Sequence, residues 1–164
     1  MAYKEKFTET DWAMVLEAPM LAGLAITAAD PGGLIGAVQE SAAMAGSLKD
    51  ASAGSLAAEV AEAYKTSEGR SAAMDGVKAL VKGKKPPEIT EAAITRLSEI
   101  LGTVKTTAPE EAGAFSEFLI DTATRTAEAA KEGGFLGFGG EAVSDAEKKT
   151  LSDLQAALGG SAGV

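Results

Sequence analysis

From Trp12 to Ala29 the chain carries an apolar run of 18 residues, interrupted by Glu17 and Pro19. A run of this kind has two outcomes. It spans a bilayer, which takes about 20 apolar residues, or it becomes the buried centre of a helical domain. The flank decides between them: Glu9 and Asp11 stand where a secretory leader would be positive. The run therefore predicts a buried central helix, and a membrane partner is not expected. Its apolar side chains point all ways, with Trp12 and Val15 on one side and Met14 and Leu21 opposite. Thr8 with Asp11 has capping-box spacing. Pro19 leaves the Val15 carbonyl without its helical donor and predicts a kink.

The rest of the chain reads as helices of more ordinary amphipathic kind. Ala fills 34 positions and no segment alternates like a strand. Asp30-Pro31-Gly32-Gly33 breaks the chain and opens a second helix, with Asp30 as cap, reaching about Leu48. The string Ala-Gly-Ser-Leu at 45–48 and again at 53–56 reads as a loop or a loose helical joint. Leu56, Val60 and Tyr64 mark a third helix, and Met74, Val77, Leu80 and Val81 a short fourth. Gly83-Lys84-Lys85-Pro86-Pro87 is the clearest linker.

Beyond that linker, Thr90 is expected to cap a fifth helix, with Ile89 and Ile94 as a staple. Its apolar face is Ile94, Leu97, Ile100, Leu101 and Val104. Thr107 with Glu110 predicts the start of a sixth, striped by Phe115, Phe118, Leu119, Thr122 and Thr126. A Gly-rich run from Gly133 to Gly140 ends it. Ser144 with Glu147 caps the last helix, which carries Leu151, Leu154 and Leu158 and stops at Gly159. The expected fold is all-α: one compact bundle of six to seven helices over residues 1–164, around a central, kinked, apolar first helix. Residues 83–88 mark the joint if the bundle divides, and residues 160–164 a frayed tail.

Composition removes many chemistries. There is no His, Cys or Asn, hence no disulfide, no His/Cys zinc or haem site and no Ser-His-Asp or Cys-His catalysis. No Ser-x-x-Lys or Walker A pattern occurs, and Gly137 to Ala142 fits a dinucleotide loop only formally, since no strand precedes it. The net charge of −9 is spread evenly: residues 1–82 hold 7 basic and 11 acidic side chains, residues 83–164 hold 8 and 13. Such a field repels phosphate backbones, so nucleic acid is not an expected partner. It also suits a soluble cytoplasmic protein.

Five residues stand out as binding candidates. Phe135, Leu136 and Phe138 sit among glycines, where they either plug the core or dock a partner. Glu17 is alone in an apolar helix, an expensive position for an unpaired charge. It meets a watery rim, pairs with a Lys, or lines an internal pocket that raises its pKa. Asp30 is the fifth. Without His, a metal would need oxygen ligands; Glu117, Asp121 and Glu128 share a face, as do Glu59 and Glu62, and both sets read as solvated surface. Lys78, Lys82, Lys84 and Lys85 read as a solvated linker that would assist at an anionic membrane.

The closing segment Gly133–Glu147 (GGFLGFGGEAVSDAE), with Leu151, Leu154 and the Ala-Leu-Gly end, resembles a group of small all-α bacterial proteins. The opening block of Trp12, Ala18-Pro19 and Ala29-Asp30-Pro31-Gly32-Gly33-Leu34 looks like the same group, to which no activity is attached. The resemblance implies an all-α cytosolic protein. Ala29-Asp30 and Val143-Ser144-Asp145 with Glu147 are also similar to helix starts of TerB-like domains, which implies metal binding through acidic residues. Pro31 and the Gly pair depart from that pattern.

The expected function is that of a non-enzymatic binding or scaffold protein, with an unknown protein partner or self-association and no cofactor. The alternatives are a carboxylate-based metal or small-molecule binder and a membrane-associated protein.

Overall fold

Thr8 does what its spacing to Asp11 predicts. In the computed structural model, which describes residues 2–29, 44–132 and 144–159, it stands immediately before a 21-residue helix, α1 (Glu9–Ala29). Its hydroxyl accepts from the Asp11 N–H at 3.1 Å and donates to the Asp11 carboxylate at 2.8 Å. These bonds satisfy one orphan donor of the first turn. α1 runs through Pro19 without a break.

The further helices are α2 (Leu56–Tyr64), α3 (Ser67–Val81), α4 (Pro86–Thr107), α5 (Ala112–Glu132) and α6 (Asp145–Gly159). Short 3-10 turns cover Tyr3–Lys6 and Pro109–Glu111, and residues 44–49 are helical. No strand occurs among the described residues. The fold is an all-α bundle, and α1 is its centre: it touches each of the other five helices, most extensively α4, then α3 and α5. Val15, Leu21, Ala22, Ala25 and Ile26 of α1 are wholly buried. Leu56 and Val60, Leu97 and Ile100, Phe115 and Leu119, and Leu154 meet them from the surrounding helices. A helix apolar on all sides is stable in water only when wrapped in this way.

Most sequence-based starts and stripes hold. Ser144 and Glu147 form a complete capping box, with Ser144 N–H donating to Glu147 Oε2 at 2.8 Å and Glu147 N–H to Ser144 Oγ at 3.2 Å. The stripe of Leu97, Ile100, Leu101 and Val104 is buried, with Ile94 half-buried at its edge. Phe115, Leu119, Thr122 and Thr126 are buried as expected.

Three expectations need correction. Thr90 is no cap. α4 starts at Pro86, and Lys85 N–H donates to Glu88 Oε2 at 2.7 Å. Proline fits a first helical position because its φ is preset and no N–H is needed there. Thr90 Oγ1, now inside the helix, instead donates to the Ala25 carbonyl at 3.2 Å and ties α4 to α1. Thr107 is likewise no cap but the last residue of α4. Pro109 then holds Ala108 off the helical region, at φ −140° and ψ 66°, and a 3-10 turn leads into α5.

The third correction concerns α3, which spans 15 residues and is not short. It buries a small face, Gly69 and Ala73, while Met74 is 44% exposed and Val77, Leu80 and Val81 are only half-buried. The repeated Ala-Gly-Ser-Leu string takes both of the forms expected for it. Residues 45–48 are helical, whereas 53–55 turn through Gly54 at φ 81° before Ser55 caps α2. The turn 82–85 similarly uses Gly83 at φ 74°, a region that favours glycine. The second helix from Asp30 and the tail 160–164 lie, wholly or in large part, outside the described residues.

A strap at the start of the described chain crosses the bundle. Glu59 of α2 accepts from the N–H groups of Tyr3 and Lys4 at 2.7 and 2.8 Å. Glu111 accepts from Tyr3 Oη at 3.2 Å and from Leu56 N–H at 2.7 Å. Lys6 pairs with Glu110 at 2.7 Å. Phe7 then packs on Trp12, with ring centroids 6.1 Å apart.

Candidate functional site

Glu17 is buried, its side chain 5% exposed, and it is paired, though with an arginine and not a lysine. Arg96 of α4 meets it with a two-pronged contact: Nε to Oε2 at 2.9 Å and Nη2 to Oε1 at 3.1 Å. Helical geometry explains the pairing. Arg96 flanks the buried stripe of Leu97 and Ile100, so its stem lies along the core edge while its head reaches α1. Space for the carboxylate comes from α3. A methyl group on Gly76 would lie 2.2 Å from Glu17 Oε1 and 2.8 Å from its Cγ, so a side chain there would push the acid aside. The hydrogen bonds that Arg96 donates to Glu17 hold the guanidinium yet further toward its charged form.

Arg96 is 28% exposed in its side chain, and its third nitrogen, Nη1, is not used by Glu17. It points to Glu99 Oε2 at 3.5 Å, the long limit of a hydrogen bond, and Glu99 is 57% exposed. Both border a cleft of about 640 Å³ between the end of α3, the Gly83 turn and α4. Lys82, Lys84, Glu88 and Glu91 also line it, and Leu80 and Ala92 give it apolar wall. Lys84 Nζ donates to the Leu80 carbonyl at 2.6 Å, which caps the end of α3. The side chains of Lys82 and Glu91 make no hydrogen bond or ion pair among the described residues. The cleft thus offers donors and acceptors at once, with one arginine fixed from behind.

Of the five sequence candidates, Glu17 alone falls among the described residues; Asp30, Phe135, Leu136 and Phe138 lie outside them. Sequence reading missed Arg96 and Gly76. One of three arginines in the chain, next to an apolar stripe, was a signal for the first. The spacing of Gly69, Ala73 and Gly76 was a signal for the second, since it gives α3 a small face.

The acidic residues do not gather. Among the described residues no three Asp or Glu side chains come together as metal ligands do. Asp121 pairs with Arg125 at 2.8 Å, and Arg125 also holds Asp50 at 2.9 Å. Glu117 and Glu128 are exposed, so that row is a solvated face. Glu62 pairs with Lys65 on the surface, and Glu59 fastens the strap.

Tyr64 closes the core beside Glu17. Its hydroxyl donates to the Leu16 carbonyl at 2.5 Å, and burial pushes the phenol well above the ordinary tyrosine range, with a smaller push from the nearby Glu17 charge. By length and composition α1 suffices to cross a membrane, with a mean hydropathy of 1.5 over its best 18 residues, but 61% of that window is buried inside the bundle. Compared with protein-family models, curated proteins and solved structures, the chain matches none.

Proposed function

We propose that the protein is a non-enzymatic binding protein of the cytoplasm and that the Arg96 cleft is its binding site. One observation carries the reading. Arg96 is fixed by a buried carboxylate on one edge and offers its remaining nitrogen to a cleft of small-molecule size. Preorganisation of this kind lowers the cost of binding, because the side chain is already ordered. The buried acid serves the site indirectly, as the support of the arginine.

Native mass spectrometry of protein purified gently from its host tests the idea together with amide shift mapping. Mass above 16.5 kDa per chain, lost on denaturation, together with shifts at residues 82–99 when the released compound is added back, is the expected result. Shifts confined to another face of the bundle would overturn the assignment of the cleft.

A further inference from the structure

Accepting the cleft as the binding site, we infer that its ligand is a small zwitterion, with a carboxylate seated on Arg96 and an ammonium seated on Glu91. Charge balance argues first. Lys82, Lys84 and Arg96 line one cleft together with Glu88, Glu91 and Glu99, three charges of each sign, and Glu17 lies outside that lining. A polyanion such as a nucleotide would meet three carboxylates, and a polyamine three cations. A molecule carrying one charge of each sign meets complementary groups at both ends.

The second argument is the state of Arg96 Nη1. Its present acceptor, Glu99, is an exposed carboxylate at the limit of bonding distance. It occupies the position a ligand carboxylate would take, and a contact so long and so solvated costs little to displace. Lys82, which is unpaired among the described residues, supplies a second positive group. Glu91 is unpaired as well and supplies the opposite charge. Leu80 and Ala92 give the apolar contact that a side chain or methylene chain needs. A cleft of about 640 Å³ accommodates a free amino acid or a short peptide.

Calorimetric titration and amide shift mapping with the dipeptide Ala-Leu test this, alongside its C-terminal amide, its N-acetyl form and inorganic phosphate. Binding of Ala-Leu is expected to fall by about tenfold or more on amidation, and by several-fold on acetylation, since each removes one charge-assisted contact. Lys82→Ala and Glu91→Ala are expected to weaken it, each with an unchanged melting temperature. Glu99→Ala is the most telling variant: it removes the internal competitor and is expected to tighten binding several-fold. Equal affinity for the amide, or weaker binding by Glu99→Ala, overturns the inference. Phosphate binding with shifts at residues 82–99, and no response to the dipeptide, overturns the zwitterion while leaving the cleft as a binding site. Shifts away from the cleft with every probe overturn both.

Discussion

Arg96 and Glu17 stabilise the fold only as a pair. Removing the arginine alone leaves a carboxylate inside the bundle, between Gly76 and the core, with no counter-charge. Arg96→Met is expected to cost about 2–3 kcal/mol, below the full cost of breaking a buried pair because the guanidinium keeps some water. Glu17→Leu combined with Arg96→Met is expected to return to within about 1 kcal/mol of the parent protein. Urea denaturation of both variants measures the difference, and equal losses would refute the pairing argument. Tyr64 gives a second residue-scale test. Tyr64→Phe removes the bond to the Leu16 carbonyl and is expected to cost about 1 kcal/mol. The phenol is held in its neutral form above the ordinary value of 10.0. Its contribution is therefore complete below pH 10 and fades as pH rises toward the folded-state pKa. A tyrosinate absorbance curve should show Tyr64 silent through the ordinary range and appearing with alkaline unfolding.

At the scale of single elements, α3 and the strap behave in opposite ways. α3 is held close to α1 and α2 by what it lacks. Gly69 sits 2.1 Å from the Ala63 carbonyl oxygen, measured from an added methyl, and Gly76 just as close to Glu17. Alanine at either position is expected to destabilise by about 1–3 kcal/mol through overpacking. That outweighs the roughly 1 kcal/mol that alanine gains over glycine inside a helix. Gly102→Ala and Gly113→Ala, where an added methyl meets nothing, should show the helical gain alone; thermal melts of the four variants give the comparison. The strap is held by charge. Lys6 bonds to Glu110 and holds that carboxyl below its ordinary 4.5. A depressed acid stabilises above its unfolded pKa, and the benefit is lost as pH falls through the folded value. The strap should therefore loosen below about pH 4.5, and Glu110→Gln should flatten that part of the acid-stability curve. An unchanged curve would mean the contact contributes nothing.

For the whole molecule the question is what keeps α1 in the bundle, since by length and composition it could also cross a bilayer. Polar contacts answer it: Glu17 with Arg96, Tyr64 with the Leu16 carbonyl and Thr90 with the Ala25 carbonyl. Moving α1 into lipid would take Glu17 into hydrocarbon at about 3 kcal/mol and strip each surrounding helix of its apolar cover. With a net charge of −9, the protein is also repelled by an anionic surface. Mixed with anionic vesicles, it is expected to stay in the aqueous fraction, and the emission of its single tryptophan, Trp12 in the core, to stay unshifted. Flotation with a shifted Trp12 signal would show α1 leaving the bundle.

Local patterns in the sequence determined much of this fold. Thr8 and Ser144 cap their helices through atoms three residues away, and the stripes of α4 and α5 follow from a period of 3.6. The central place of α1 followed from its apolar surface, which water excludes in any packing. Where two local signals competed, the nearest hydroxyl misled: proline chemistry moved the start of α4 to Pro86 and ended α4 before Pro109. The site was legible only by half. Glu17 was conspicuous as a lone acid in an apolar helix, but its partner lies 79 positions on and its space comes from a third helix. No local period encodes a meeting of three helices. The packing of α3 and α4 on α1 alone decided that Arg96 would face Glu17 on one edge and the cleft on the other.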